Sequence, residues 1–244
     1  MRVTTSRWQI GAAAVLTMAL ASWPGEIRPK AAEDLTTAGT SIARLKAGNA
    51  RFVANPEEAL PISAVQRTSL ASGQTPFAAV LSCADSRVPP EVVFHTGLGD
   101  LFVVRAAGHV ADRSVLASLE YAAEHLHVPV VVVMGHESCG AVKAAVETPA
   151  SKSLGPNLDY MLKAIRPAVA ATSSASDATR VKAAILKNVE ESINALLADS
   201  AILRHMADAG RLDFIGAYYE LASGRAHFSE PVQVGAAGAA AASH

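Results

Sequence analysis

The stretch Val128-Pro129-Val130-Val131-Val132-Val133-Met134 limits what this chain can fold into more than any other. β-Branched side chains suit a pleated strand, and a run without a polar residue offers water no face. Such a strand has to be covered on both sides, as an inner strand of a parallel sheet is when helices flank it. Apolar runs at 77–82, 101–105 and 212–219 read as companion strands, with a short continuation at 226–228 after a turn at Ser223-Gly224. Between them apolar residues recur at helical spacing. Helices are expected over 36–53, 63–72, 114–125 and 139–147, with one helical turn at 91–94. Leu116, Leu119 and Leu126 mark the inner face of the third. From 156 to 210 the chain reads as helical, broken by a Ser/Thr-rich loop at 172–176. Leu158, Leu162 and Ile165 are expected on one buried face there, and Ile185, Val189, Ile193 and Leu196 on another. The fold class is α/β: a single domain with a central, mainly parallel β-sheet flanked by helices, preceded by an N-terminal helical arm.

The two ends read differently from the middle. Arg2 and Arg7 precede an apolar stretch at 10–21 that closes on Ala19-Leu20-Ala21, the pattern of a cleavable signal peptide over 1–21. An uncleaved membrane anchor is the alternative. Residues 22–33, with Pro24, Gly25 and Pro29, form a linker, 34–230 the domain, and 231–244 a low-complexity tail. The mature chain is therefore expected in the periplasm or outside the cell, with no membrane association after signal removal. A formal net charge of −1 gives no basis for a nucleic-acid partner.

The chain has two cysteines, and each follows an expected strand. Phe77-Ala78-Ala79-Val80-Leu81 runs into Ser82-Cys83-Ala84-Asp85-Ser86-Arg87, and the valine run leads into Gly135-His136-Glu137-Ser138-Cys139-Gly140. Ligands of open α/β sheets bind at the carboxyl ends of strands. Cys83, His136 and Cys139 supply two sulfurs and an imidazole, a donor set for a catalytic zinc with one position left open. Two thiolates cancel the ion's charge, so the centre should acidify water less than a three-histidine one and favour alkaline conditions. A disulfide or a redox pair is the other reading of two thiols, although Cys-x-x-Cys spacing is missing. Asp85 and Arg87 sit at alternate positions beyond Cys83, so both project to its side and can pair bidentately. A surface ion pair is the plainer alternative.

Cys-x-Asp-x-Arg followed by His-x-x-Cys, each at the end of a buried strand, resembles the β-class carbonic anhydrases, and the resemblance extends over about residues 36–228. It implies a zinc lyase that hydrates carbon dioxide reversibly to bicarbonate and a proton. The attacking group is a zinc-bound hydroxide oriented by the Asp85–Arg87 dyad, and in a closed form Asp85 itself binds zinc. Gln74 matches a substrate-binding glutamine, and Phe102 and Tyr121 match pocket aromatics that usually line a dimer interface. Arg105 matches a family arginine whose role stays open between catalysis and a helix-capping or inter-subunit ion pair. A homodimer or a multiple of dimers is expected, with the N-terminal helix wrapped on a partner. Some relatives of this fold hydrolyse carbon disulfide or carbonyl sulfide, and a zinc scaffold without turnover is a further alternative. The sequence departs from the family in two places. Arg105-Ala106-Ala107-Gly108-His109 replaces the usual Arg-Asn-x-Gly-Asn, and Val80 and Ser82 stand where a regulatory bicarbonate pocket has tryptophan and glycine. An open site with little bicarbonate inhibition is therefore expected. The remaining histidines, His109 among them, lack ligand spacing and read as solvated or structural.

Overall fold

The computed structural model describes residues 37–232. The expected signal peptide and linker, and nearly all of the tail, lie outside these residues. The strands are Ala78–Ser82 (β1), Leu101–Arg105 (β2), Val130–His136 (β3), Asp213–Tyr219 (β4) and Ala226–Phe228 (β5). They form one sheet in the order β2-β1-β3-β4-β5. The first four run parallel, and β5 is antiparallel at the edge. Every residue of β3 is buried, as the valine run demands. From β1 the chain moves outward to β2, and from β3 it moves the opposite way to β4. The order therefore reverses between β1 and β3, and it is at such a point that α/β sheets open a crevice for ligands.

Among the described residues eight α-helices accompany the sheet: Ala38–Ala54 (α1), Ala64–Ser69 (α2), Pro90–Val93 (α3), Arg113–Glu124 (α4), Gly140–Glu147 (α5), Pro156–Ala171 (α6), Asp177–Asp199 (α7) and Ala201–Asp208 (α8). Side chains alternate across a strand, which divides the core in two. Val80, Val130, Val132 and Met134 pack with Leu45 of α1, Val142 of α5, and Leu162 and Ile165 of α6. Leu81, Val131 and Val133 face Val115 and Leu119 of α4, Ile193 and Leu196 of α7, and Leu203 of α8.

Three expectations need correction. The apolar face of α1 is not left over for a second subunit: Ile42 and Leu45 are buried in the chain's own core. Ser41 Oγ donates to the Phe77 carbonyl at 2.7 Å. Asn49 Nδ2 donates to the carbonyls of Val93 and Gly224, and its Oδ1 accepts from the Ala226 N–H. Leu158 is 49% exposed, because the first turn of α6 extends past the surface that Leu162 and Ile165 cover. The helical region after 176 is also broken a second time, at Ser200, whose Oγ caps α8 by accepting from the Leu203 N–H.

Candidate metal centre

Cys83 is the first residue after β1. Because Ser82 pairs with Met134, Cys83 comes abreast of the end of β3, where His136 is the last residue. The chain then turns through Ser138, whose φ of 53° is left-handed, and Cys139 becomes the N-cap of α5. All three side chains are buried, and their ligand atoms lie within 4.8 Å of one another. The two sulfurs are 4.0 Å apart. A disulfide needs about 2.05 Å, so both thiols are free. A tetrahedral ion with Zn–S bonds of about 2.3 Å spans two sulfurs by about 3.8 Å, so the observed separation fits a shared ion.

His136 offers an independent test of that fit. Its Nδ1 lies 2.9 Å from the Glu137 carbonyl, which can only accept, so Nδ1 carries the proton. The lone pair is then on Nε2, which is buried and has no hydrogen-bond partner among the described residues. A buried acceptor left unsatisfied is unfavourable, and a metal ion among these three groups satisfies it. An imidazole fixed through its second nitrogen by a carbonyl is the common outer-shell arrangement of a metal-bound histidine.

The thiols are unequal. Cys83 is pushed well below the ordinary thiol range by the hydrogen bond from Cys139, and the backbone N–H groups of Asp85 and Gly108 act in the same direction against burial. Cys139 is pushed up, chiefly by donating that bond and then by burial. One proton is thus shared by the pair, and a bound cation displaces it.

Asp85 and Arg87 meet as expected. Arg87 Nε and Nη2 donate to the two carboxylate oxygens at 2.9 and 2.7 Å, and the Arg87 N–H adds a third bond at 3.0 Å. Arg87 holds the carboxyl well below the usual carboxylate range. Asp85 Oδ2 lies 3.9 Å from His136 Nε2. The Arg105 guanidinium donates to the backbone carbonyls of Cys83 and Asp85 and clamps the loop between them. Gly108, which sequence reasoning passed over, donates its N–H to Cys83 Sγ at 3.4 Å. Its match to the glycine of the family's Arg-Asn-x-Gly-Asn pattern was the signal available for it.

The three expected substrate residues are elsewhere in the chain. Gln74 is exposed in the loop before β1, a whole strand from Cys83, or about 16 Å at 3.3 Å per residue. Phe102 pairs with Ala79 near the start of the sheet, and its ring stands 6.2 Å from that of Tyr121 on α4. The structure brings Phe102 and Tyr121 together, but it does not bring them or Gln74 to the metal centre of the same chain. A cavity of about 490 Å³ between α7 and β4–β5 contains none of the ligand residues.

Comparison with known proteins agrees with this geometry. A carbonic anhydrase family model matches residues 78–226. Carbonic anhydrase 2 of Mycobacterium tuberculosis is 42% identical over 183 residues, covering 75% of this chain and 88% of the relative. The carbonic anhydrase of Mycolicibacterium smegmatis is 40% identical over 182 residues, covering 74% and 88%. Among solved structures, a tetrameric β-carbonic anhydrase from Sordaria macrospora aligns with a TM-score of 0.62 and 25% identity, over 80% of this chain and 99% of that one. The cysteine and histidine ligand set at a sheet switch point and these matches lead to one conclusion: the chain belongs to the β-class carbonic anhydrase family.

Proposed function

We propose that this carbonic anhydrase uses zinc held by Cys83, His136 and Cys139 to interconvert carbon dioxide and bicarbonate, with Asp85 and Arg87 as its orienting dyad. The observation that carries the reading is the orphaned Nε2 of His136 among two free thiols, with a fixed carboxylate 3.9 Å away. Zinc in this setting supplies a Lewis acid that makes hydroxide available near neutral pH. Asp85, ionised and held by Arg87, accepts a hydrogen bond from the attacking O–H and aims its lone pair at carbon. Arg105 keeps the Cys83–Asp85 backbone in place, so that Asp85 moves only if Arg87 releases it. With both carboxylate oxygens on Arg87, the arrangement favours an open site. Val80 and Ser82, buried within β1, leave no tryptophan or glycine there for a regulatory bicarbonate pocket, so inhibition beyond product competition should be small.

The active unit we propose is at least a homodimer. The outer edge of β2 pairs with no strand among the described residues, and an open apolar edge invites a partner. Gln74, Phe102 and Tyr121, distant from their own metal centre, would then line the neighbour's pocket and bind carbon dioxide or bicarbonate. The protein is further proposed to be exported, its signal peptide removed. No helix among the described residues is long and apolar enough to cross a membrane.

Stopped-flow hydration of carbon dioxide by metal-quantified protein across a pH series tests the reading. It should find one zinc per chain and turnover that rises toward alkaline pH. Protein with iron or no metal would refute the zinc assignment. Zinc-loaded dimer without turnover would favour a scaffold, and turnover only of carbon disulfide or carbonyl sulfide would change the substrate. Full activity in a monomer by light scattering would refute the shared pocket.

A further inference from the structure

Cys83 Sγ accepts a hydrogen bond from the Gly108 N–H, and the turn that delivers this donor is an unusual one. Gly108 and His109 are successive left-handed residues, with φ of 64° and 45°. Glycine takes that conformation freely, and here nothing larger fits: a Cβ at Gly108 would stand 2.8 Å from Ile165 Cδ1 and 3.2 Å from Ala141 Cβ. Histidine takes it at an energetic disadvantage, and such residues persist only where their surroundings over-determine them.

The surroundings here are two polar residues of α7. Asn188 and Ser192 lie one helical turn apart on the face that otherwise presents Ile185, Val189 and Ile193 to the core. Both are more than nine-tenths buried. Asn188 Nδ2 donates to the Gly108 carbonyl at 2.9 Å. Ser192 Oγ donates to the His109 carbonyl at 3.2 Å and lies 3.0 Å from His109 Nδ1. With its one proton given to the carbonyl, Ser192 Oγ accepts from Nδ1–H, so main chain and side chain of His109 are both held. Buried polar side chains on an apolar helix face are unfavourable unless they are paired, and both of these donate to this one turn.

We infer that Asn188 and Ser192 are positioning residues for the metal centre: through the Gly108–His109 turn they keep a backbone N–H on the Cys83 sulfur. The inference rests on the metal assignment proposed above. A thiolate that accepts a hydrogen bond gives less charge to a bound cation, which remains the stronger Lewis acid. The device thereby offsets part of the charge cancellation that two thiolate ligands impose. It reaches the sulfur from α7, more than a hundred residues along the chain and outside every motif of the site.

Cobalt-substituted holoprotein supplies a readout that stability does not move, the near-ultraviolet thiolate-to-cobalt charge-transfer band. Asn188→Leu and Ser192→Ala should both shift this band to lower energy, because the sulfur becomes richer in electrons. In the zinc enzymes, turnover at pH 7 should fall on the order of tenfold, and the gap should narrow at alkaline pH as the activity limb moves upward. Ile193→Val, a core change on the same helix, should lower stability and leave the band in place. If Asn188→Leu does not fold, Ser192→Ala decides alone. A folded Ser192→Ala with the wild-type band and pH profile would overturn the inference, as would the same shift in Ile193→Val. Wild-type protein that takes neither cobalt nor zinc into the site would instead overturn the metal assignment, and this inference with it.

Discussion

Gly135, the residue before His136, has no room for a methyl group, and the consequence can be worked out in numbers. A Cβ there would lie 2.8 Å from Val189 Cγ2, 3.1 Å from Ile185 Cγ2 and 3.4 Å from His109 Nε2. Carbon atoms pack best at about 3.5–4.0 Å, so Gly135→Ala must push α7 off β3 by several tenths of an ångström. Overpacking of this kind costs about 1–3 kcal/mol, or a fall in melting temperature of about 4–8 °C at the middle of that range for a domain of this size. Val189→Ala removes the nearest obstacle and by itself costs about 2 kcal/mol through lost burial and a cavity. The two changes should therefore not add: the double variant is expected about 1–2 kcal/mol more stable than the sum predicts. Gly216 on β4 gives an internal check, since its Cβ would stand 2.8 Å from Cγ1 of the same valine. Val189→Ala should relieve Gly216→Ala as well. Urea denaturation of zinc-loaded protein, at fixed protein and zinc concentrations so that mass action is constant, measures all of these. Since α7 carries Asn188 and Ser192, turnover should fall in Gly135→Ala and partly return in the double variant. Additivity within about 0.5 kcal/mol would show that the valine is not what Gly135 accommodates, and the reasoning would fail.

Cys83→Ala and Cys139→Ala should each lose zinc and activity together, whereas Asp85→Ala should keep a full complement of zinc and lose about 100-fold or more in turnover; metal analysis beside stopped-flow hydration separates the two outcomes. The Asp85 carboxyl is lowered in the folded chain, chiefly by its bonds to Arg87. The pair's contribution to stability is therefore complete above the unfolded carboxyl value of about 4 and is lost only as pH falls through the lower folded value. The stability difference between wild type and Arg87→Gln should accordingly be flat from pH 5 upward and shrink in acid, as measured by denaturation at each pH. Leu45 of α1 is fully buried, so Leu45→Ala should cost about 2–5 kcal/mol. Deletion of 36–53 should yield an unfolded chain by circular dichroism rather than a folded monomer.

What was legible in the sequence was local. The valine run carries its burial in its own composition, and Cys83 and His136 are readable as site residues because each directly ends an apolar run. The position of α1 was not legible. Its apolar stripe is visible, but what it packs on is not: Ser41 bonds to Phe77, and Asn49 to Val93 and to Gly224, 175 residues away. A stripe without its partner looks like a surface kept for another subunit. The break at Ser200 was hidden because apolar residues continue at helical spacing on both sides of it, while the signal was a single hydroxyl placed three residues before Leu203. Leu158 has the right spacing on α6, but spacing does not say where the sheet beneath it stops.

Arg105, Gly108 and His109 were opaque for a more specific reason: their roles depend on strand register. Ser82 pairs with Arg105, and the ladder runs on past both strands, with the Ala106 N–H on the Ser82 carbonyl at 3.1 Å and the Ala84 N–H on the Ala106 carbonyl at 3.3 Å. That extension carries Arg105 to the carbonyls of Cys83 and Asp85 and brings Gly108 over the Cys83 sulfur. A slip of one residue would move these groups by about 3.3 Å and turn Arg105 to the opposite face. Every apolar residue of β2 would still have found a neighbour on β1, since Leu101 to Val104 are all apolar and contain no pattern that prefers one register. What selects the register is polar: an arginine that needs carbonyls, and a glycine–histidine turn that needs Asn188 and Ser192. The same contacts that choose the pairing of β1 with β2 also complete the surroundings of Cys83, so fold specificity and metal-site geometry are set here by one group of residues.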